Sequence, residues 1–316
     1  MKELILITSH TPDNKREELL RNLVKGINNK EYDIMVVSHT SIPNDILDGI
    51  DYFIFDKKNP LLFDIKDKAM SIFENKTFII HTTETKKYNH GLAFLRLLKI
   101  GLTNAKKLNY KKVHFFEYDS LIKDFKELQE NSELIESLGV VCYKPTGIDW
   151  PNSPMSFNLE KISELWFELS DDGYYKFMFD QYSKLSEEYQ MYLIKQGGEY
   201  VFKNVLDLKD KGIDVGLHVD SENFPWFVIV NDMSKNKLVF FGWNQSDKEC
   251  NIKVISNNSS VLTKKINPKF WTLIEIGVFD EINHIMIVVN DEIKNILDFN
   301  LIERNIFKQR NFLKTK

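Results

Sequence analysis

The segment Glu117-Tyr118-Asp119 places two carboxylates two residues apart, directly after the apolar run Val113–Phe116. In an extended chain alternate residues point to the same side, so we expect both carboxylates to face one cleft. Paired carboxylate oxygens are suitable ligands for a hard divalent cation, Mg²⁺ or Mn²⁺. A cation held there can bridge a diphosphate and neutralise the charge that develops as the diphosphate leaves. The triplet therefore predicts a metal site for chemistry at a diphosphate.

Composition alone does not distinguish this triplet from a solvated acidic turn. With 46 acidic residues in 316, roughly six or seven acid-x-acid triplets are expected by chance. The chain even carries an identical copy at Glu31-Tyr32-Asp33. That copy leads into its predicted strand, whereas Glu117 and Asp119 follow theirs, so the two copies should lie at opposite edges of a sheet.

Strand-like and helix-like segments alternate through the first part of the chain. The buried-strand runs are Leu4–Thr8, Asp33–Ser38, Tyr52–Phe55, Thr77–His81 and the run that leads to Asp119. Helical spacing occurs around Leu20–Ile27 and from His90 to Asn109, where Ala93, Leu97, Gly101 and Ala105 form a row of mostly small residues. This alternation predicts an α/β fold with a mainly parallel sheet flanked by helices, and such sheets bind ligands, nucleotides among them, at the carboxyl edge of their strands.

The pattern changes after about Glu222. Short strand-like runs follow one another, separated by polar turns and without helices between them, at Pro225–Val230, Lys237–Gly242, Asn251–Ile255, Phe270–Val278 and His284–Val289. This predicts a C-terminal antiparallel β domain, resembling a small sandwich. We place the domain boundary near residue 222, giving a catalytic domain at 1–222 and an accessory domain at 223–316, and we find no internal sequence repeat.

Charge and composition exclude several classes of protein. The net charge of −4 gives no electrostatic reason to expect nucleic-acid binding. The two cysteines, Cys142 and Cys250, lie far apart, which argues against a cysteine metal site and fits a reducing compartment. No apolar run is long enough for a transmembrane segment, and the N-terminal run is too short for a signal peptide. We therefore expect a cytoplasmic protein.

One family resemblance adds to this interpretation. The stretch from Tyr88-Asn89-His90-Gly91 through the small-residue row and Tyr110 to Val113–Asp119 resembles the core of GT-A-type glycosyltransferases, over roughly residues 1–220. The resemblance implies transfer of a sugar from a nucleoside-diphosphate sugar to a carbohydrate or other hydroxyl acceptor. It implies that Asp119 ligates the metal and that Glu117 lies at the nucleotide-ribose side, with Glu117 a candidate second ligand. Glu117 departs from the family's Asp-x-Asp motif, which indicates altered donor geometry or weaker metal dependence.

Residues near the other strand ends could contact the donor. The resemblance implies that Thr8 and Ser9 touch the base and ribose, although the same loop could be an ordinary helix N-cap. Asp56, after the third strand run, could contact a base or ribose edge or could cap that strand. His218 matches the late histidine that many metal-dependent relatives use as a metal ligand or diphosphate contact, and a structural role is the alternative.

Candidate residues for the acceptor side come later in the chain. Glu187 and Glu188 resemble the acidic stretch that supplies a catalytic base in inverting enzymes, and we favour Glu188. Their alternative role is to stabilise the dipole of a helix start. Trp150 could bind the apolar face of an acceptor sugar or could belong to the core.

Two other functions stay open. A sugar-phosphate nucleotidyltransferase can use the same sheet, but it normally has a Gly-rich, basic first loop, which Ser9-His10-Thr11-Pro12-Asp13 lacks. Neither G-x-G-x-x-G nor G-x-x-x-x-G-K-[ST] occurs, which argues against a dinucleotide-dependent oxidoreductase and a P-loop ATPase. A non-catalytic glycan-binding protein could use Trp226, Trp243 and Trp271 of the C-terminal domain, although aromatic residues in strands usually belong to a core.

Overall fold

The computed structural model describes residues 2–27, 31–59, 90–144, 151–180, 186–217, 226–232, 237–244, 248–257, 259–268, 270–278 and 281–298. The predicted strand Thr77–His81 lies outside these residues. Strands and helices alternate through the first part of the chain, as predicted. In chain order its elements are β1 (Glu3–Ser9), α1 (Asn14–Gly26), β2 (Tyr32–Ser38), α2 (Asn44–Leu47), β3 (Tyr52–Phe55), α3 (His90–Lys107), β4 (Lys112–Glu117), β5 (Leu121–Ile122), α4 (Lys126–Ser137), β6 (Val140–Lys144), β7 (Asn152–Asn158), α5 (Leu165–Glu168), α6 (Asp171–Asp180), α7 (Ser186–Lys195), β8 (Tyr200–Asn204), α8 (Asp207–Asp210) and β9 (Ile213–Asp214).

Seven of these strands form one sheet in the order β3-β2-β1-β4-β7-β6-β8. The pairs β3/β2, β2/β1, β1/β4 and β6/β8 are parallel, whereas β7 runs antiparallel to β4 and β6. The predicted fold class, a mainly parallel sheet flanked by helices, is confirmed. The chain proceeds from β1 outward through β2 to β3, and then returns to place β4 on the other side of β1. Strand order therefore reverses at the β1/β4 pair, which is where open α/β sheets bind ligands.

Apolar layers cover both faces of this sheet. Leu4 and Leu6 of β1 pack in one buried cluster with α3 and α7, whereas Ile5 and Ile7 pack in a second cluster with α1 and α4. The small residue Gly101 lies where α3 crosses β1, because an added Cβ would overlap the Leu6 side chain. The predicted small-residue row thus lets α3 lie close to the sheet.

A buried histidine fixes the middle of β4. His114 is fully buried, with one ring nitrogen 2.8 Å from the Ser156 hydroxyl and the other 3.0 Å from the Glu3 carboxylate. Ser132 also donates to Glu3, at 2.5 Å. Burial raises the pKa of Glu3, but hydrogen bonds from His114 and Ser132 outweigh burial and lower this pKa to about 2. Glu3 therefore stabilises the fold in its ionised form.

A buried carboxylate joins α4 to the far side of the sheet. Glu127 is 1% exposed and accepts hydrogen bonds from Lys203 at 2.7 Å, from Lys211 and from the Tyr143 hydroxyl. Burial raises the pKa of Glu127, but these donors outweigh burial and lower it. The network holds α4, β6 and β8 together.

The C-terminal part forms two antiparallel sheets, as the sequence predicts. Its strands are β10 (Trp226–Asp232), β11 (Lys237–Trp243), β12 (Cys250–Ser256), β13 (Ser259–Ile266), β14 (Trp271–Val278), β15 (His284–Val289) and β16 (Glu292–Asp298). The sheet orders are β10-β11-β14 and β13-β12-β15-β16, and residues of both sheets share one buried cluster. Sequence reasoning missed β13 and β16. The sandwich arrangement and the boundary at 222 stay predictions, since residues 218–225 lie outside the described ranges.

Candidate active site

The β1/β4 pair brings the first strand end next to the acidic triplet. Thr8 and Glu117 are direct partners in the parallel register, and the Tyr118 N–H continues the ladder by donating to the Thr8 carbonyl at 3.1 Å. Thr8 and Ser9 are both buried at the end of β1. The structure therefore brings Thr8, Ser9, Glu117 and Asp119 to one edge, at the point where strand order reverses.

The triplet itself leaves the strand earlier than the sequence pattern predicts. β4 ends at Glu117, because the Ser120 N–H turns back to donate to the Glu117 carbonyl at 3.2 Å. Asp119 lies in this turn and is only 3% exposed. Its carbonyl accepts a hydrogen bond from the Leu217 N–H at 2.9 Å. The two carboxylates are thus held together by a turn rather than by an extended strand.

The duplicate triplet lies at the other edge, as predicted. Glu31 is exposed and precedes β2, and Tyr32 and Asp33 are the first residues of that strand. Parallel strands share their amino edge, so this copy is remote from the carboxyl edge where Glu117 ends β4. The copy therefore provides matched control positions for experiments on the triplet.

A third carboxylate joins the pair. Burial is the largest of three causes, with the negative charges of Asp119 and Glu187, that together raise the pKa of Glu117 to about 8. Glu187 comes from the first turn of α7, which carries its first-turn acids as the sequence predicts. The sequence analysis favours Glu188 over Glu187 for the site, whereas in the structure it is the charge of Glu187 that raises the pKa of Glu117.

The environment of Glu187 also perturbs its proton affinity. Burial raises the pKa of Glu187, hydrogen bonds from its own backbone and from Ser186 partly offset this effect, and the neighbouring Glu188 charge raises the pKa again. The Ser186 hydroxyl donates to the Glu187 carboxylate at 3.0 Å. Carboxyl groups with raised pKa values, gathered in one place, are typical of functional sites.

The carboxylates fit a divalent cation as a pair of oxygen ligands. Within the described ranges, no group of three or more His, Cys, Asp and Glu side chains is arranged to hold a metal ion. Glu117 and Asp119 repel each other when both are ionised, and a bound cation would remove that repulsion. Further ligands would have to come from the substrate, from water or from a residue outside the described ranges.

The predicted third ligand, His218, lies outside the described residues, as does the predicted acceptor contact Trp150. Leu217, which precedes His218 in the sequence, is hydrogen-bonded to Asp119. The metal role of His218 and the acceptor role of Trp150 stay predictions.

Sequence reasoning missed a repeated tripeptide next to this site. Ser9-His10-Thr11 begins at the last residue of β1, and Ser38-His39-Thr40 begins at the last residue of β2. Ser9 and Ser38 are direct register partners. The two histidine rings stack with centroids 4.8 Å apart, and His10 Nδ1 lies 2.7 Å from His39 Nε2. The Thr11 N–H donates to the Thr40 hydroxyl at 3.0 Å. The repeated Ser-His-Thr sequence could have indicated this pairing, although a three-residue repeat is too short to indicate a structural repeat by itself.

Asp56 follows β3 at the same edge, and its carboxylate accepts several hydrogen bonds. Arg96 of α3 donates to both carboxylate oxygens, at 3.2 and 3.3 Å, and the Asn59 side chain donates at 3.2 Å. These contacts tie β3 to α3. They account for the burial of Asp56 without a ligand, so its predicted nucleotide contact stays a prediction.

Arg16 is a second residue that sequence reasoning missed. Asp13 caps α1 by accepting from the Arg16 N–H at 2.9 Å, and the Arg16 guanidinium donates to the same carboxylate. Arg16 also hydrogen-bonds the side chain of Tyr118, the central residue of the triplet. The start of α1 thereby supports the turn that carries Asp119.

No protein-family model matches the chain, and no curated protein sequence matches it. Among solved structures, the chain is similar to the glycosyltransferase GlyE of Streptococcus pneumoniae TIGR4, with 9% identity, a TM-score of 0.39 and coverage of 67% of this chain and 47% of GlyE. The chain thus spans about half the length of GlyE.

Two further solved structures have similar scores. Mouse xyloside xylosyltransferase 1 shares 12% identity with a TM-score of 0.40, over 64% of this chain and 84% of that one. The 4-diphosphocytidyl-2C-methyl-D-erythritol synthase of Anaerococcus prevotii DSM 20548 shares 13% identity with a TM-score of 0.32, over 64% and 87%. With identities near 10% and TM-scores of 0.40 or below, activity has to be argued from the site.

In the described residues, none of the helices has the length and apolar character of a membrane span.

Proposed function

We propose that this chain is a glycosyltransferase that moves a sugar from a nucleoside-diphosphate sugar to a hydroxyl acceptor. One observation carries the proposal, namely the cluster of Glu117, Asp119 and Glu187 at the carboxyl edge beside β1. Ligands bind at such a reversal of strand order. Carboxylates gathered there are suited to a metal–diphosphate group and to proton transfer.

Asp119 and Glu117 would supply oxygen ligands to Mn²⁺ or Mg²⁺, with His218 as the proposed third protein ligand. When bound, the cation would stabilise the negative charge of the departing diphosphate. Asp119 is fixed by the hydrogen bond from Leu217 to its carbonyl and by the turn at Ser120. This rigidity favours a preorganised metal site.

The donor nucleotide would lie across the ends of β1 and β2. Thr8 and Ser9 end β1 next to Glu117, so the resemblance-based assignment of these residues to the base and ribose is compatible with their position. Asp56 follows the edge strand β3 and would therefore lie at the outer side of this cleft. Its bonds to Arg96 favour a supporting role in shaping the cleft.

We propose Glu187 as the catalytic base, in place of Glu188, which the sequence analysis favours. The charge of Glu187 acts on Glu117, and burial raises the pKa of Glu187, which makes it a stronger proton acceptor than an ordinary carboxylate. In an inverting reaction Glu187 would accept the proton of the acceptor hydroxyl as the new glycosidic bond forms. Trp150 remains the proposed contact for an acceptor sugar.

The test is thermal stabilisation by UDP and GDP, with and without Mn²⁺. A ligand at 100 times its dissociation constant raises stability by about 2.7 kcal/mol, and we expect this effect for one of the nucleotides only with Mn²⁺. Asp119→Asn should abolish the metal-dependent part of the stabilisation. Asp33→Asn, the same change in the duplicate triplet, should retain it.

Other outcomes would favour the alternatives. No response to any nucleoside diphosphate would contradict the proposal. Stabilisation by nucleoside triphosphates, with pyrophosphate released from a triphosphate and a sugar phosphate, would instead indicate a nucleotidyltransferase. Glycan binding without any nucleotide response would indicate a non-catalytic glycan-binding protein.

A further inference from the structure

The side-chain hydroxyl of Ser120 is buried and has no hydrogen-bond partner among the described residues. Ser120 closes the turn that carries Asp119, and it is 1% exposed. A buried hydroxyl without a partner destabilises the folded state, so such groups are rare, and they are found where a protein binds an ion, a water molecule or a substrate. The place of this hydroxyl, next to the proposed metal ligand Asp119, indicates a role at the active site.

Local turn geometry does not explain the Ser120 hydroxyl. A serine in a turn commonly hydrogen-bonds its hydroxyl to the backbone of the same turn, but Ser120 uses only its N–H in this way, donating to the Glu117 carbonyl at 3.2 Å. The other buried serines before residue 218 all have side-chain hydrogen bonds, and they are Ser9, Ser38, Ser132, Ser153 and Ser156. Ser120 is therefore an exception among buried serines of the same sheet and its helices.

The backbone on both sides of Ser120 is held by hydrogen bonds within the protein. The strand β5 begins directly after Ser120 and pairs antiparallel with β9. On the other side, the Glu117 N–H donates to the Ser153 hydroxyl and the Tyr118 N–H donates to the Thr8 carbonyl, both at 3.1 Å. These backbone donors are used inside the fold, whereas the Ser120 hydroxyl is a donor of the same turn that stays available to a ligand.

We propose that the Ser120 hydroxyl donates a hydrogen bond to a diphosphate oxygen of the bound donor, an inference that rests on the proposed function. The carboxylates of Glu117 and Asp119 can meet a diphosphate only through a cation, because both partners are negatively charged. A hydroxyl can contact the diphosphate directly, and a hydrogen bond to a charged oxygen is stronger than one to a neutral oxygen. Serine has a single side-chain torsion with three staggered positions, so the buried hydroxyl can turn toward the ligand without a change in the backbone.

The experiment measures binding of UDP, GDP and inorganic pyrophosphate to the full chain in the presence of Mn²⁺. Ser120→Ala should weaken the binding of these diphosphates roughly ten- to a hundredfold, as for loss of a hydrogen bond to a charged acceptor. Ser120→Cys has nearly the same shape but only a weak donor, and it should show a loss of similar size. Isothermal titration with Mn²⁺ alone should give the wild-type affinity in both variants, because the hydroxyl contacts the diphosphate and not the cation.

The melting temperature without ligands separates this binding role from a structural one. Ser120→Ala removes a hydroxyl that has no partner, so it should melt at the wild-type temperature or above it. Ser132→Ala is the matched control, since the Ser132 hydroxyl is also buried but donates to Glu3. It should melt roughly 2–4 °C lower and bind diphosphates as the wild type does. Thr272→Val removes a buried hydroxyl that also lacks a partner among the described residues, in β14, and it should leave diphosphate binding unchanged.

Two results would refute the role of Ser120 alone and leave the transferase proposal intact. The first is a Ser120→Ala protein that binds UDP or GDP as tightly as the wild type. The second is a Ser120→Ala protein that loses affinity for Mn²⁺ alone or melts below the wild type, which would show a metal-binding or structural role instead. Pyrophosphate binding that depends on Ser120, without any response to UDP or GDP, would support the role of Ser120 and contradict the transferase proposal. No response of the wild type to any of the three diphosphates would refute both.

Discussion

Replacing Glu117 by glutamine should make the metal-free protein more stable at pH 8. Burial, Asp119 and Glu187 raise the pKa of Glu117 from its ordinary value near 4.5 to about 8. Between these two values the folded state binds more protons than the unfolded state, so the stability of the wild type falls as pH rises from 4.5 to 8. Glutamine has nearly the same shape but no charge, and it removes this dependence.

The size of the effect follows from the pKa of Glu117. Each tenfold change in proton affinity corresponds to about 1.4 kcal/mol, and the side chain retains partial contact with solvent. We therefore expect the wild type to lose about 2–4 kcal/mol between pH 5 and pH 8 from this group. The assay is urea unfolding at pH 5, 6, 7 and 8 in the presence of a chelator. Millimolar Mn²⁺ should restore stability at pH 8 in the wild type, because a cation compensates the carboxylate charges.

Glu31→Gln is the matched control, since Glu31 holds the same place in the duplicate triplet but is exposed. It should leave the pH dependence of stability as in the wild type. If Glu117→Gln and the wild type lose the same stability between pH 5 and pH 8, the three carboxylates do not interact as described. The electrostatic account of the site would then be refuted.

Three further changes test the fold that supports the site. Glu3→Gln should destabilise the protein by about 1–3 kcal/mol at pH 7 and little at pH 2. The lowered pKa of Glu3 gives stability that is lost as pH falls from about 4.5 toward 2. Acid unfolding curves of the wild type and the variant check this. Glu127→Gln should cost about 3 kcal/mol in urea unfolding, because it leaves Lys203 without its buried partner; equal stability of the two proteins would contradict this. Gly101→Ala should lower the unfolding free energy by about 1–2 kcal/mol, because the new methyl group would overlap Leu6. This loss should outweigh the better helix propensity of alanine. A more stable variant would refute the close packing of α3 on β1.

Much of the first sheet could be predicted from the sequence, because its strands are continuous apolar runs and its helices have clear periodicity. The strand Tyr52–Phe55 and the start of α3 at His90 were predicted at their observed positions. β13 and β16 were missed, since they mix lysine, asparagine and serine with their apolar residues and thus lack a continuous run. β7 was also missed, and its Asn-Ser-Pro start is typical of a loop.

Only the site residues whose position depends on a single strand could be predicted from the sequence. The position of Glu117 and Asp119 at the end of β4 follows from local pattern, whereas the approach of Glu187 depends on how α7 packs against the sheet. Glu187 and Glu188 are adjacent in the same helical turn, so periodicity could not select between them. The contacts of Leu217 with Asp119 and of Arg16 with Tyr118 also join elements remote in sequence, and single-sequence patterns carry no information on such pairs.

Release of nucleoside diphosphate from UDP- and GDP-sugars decides whether the Glu117-Tyr118-Asp119 edge is the active site. We predict release that requires Mn²⁺ or Mg²⁺, that Asp119→Asn abolishes and that Asp33→Asn retains, with Glu187→Gln slowing transfer to an acceptor more than Glu188→Gln does. Release that is equal in the Asp119→Asn and Asp33→Asn variants, or absent with every nucleotide sugar in the folded wild-type protein, would contradict the assignment of the Glu117-Tyr118-Asp119 edge as the active site.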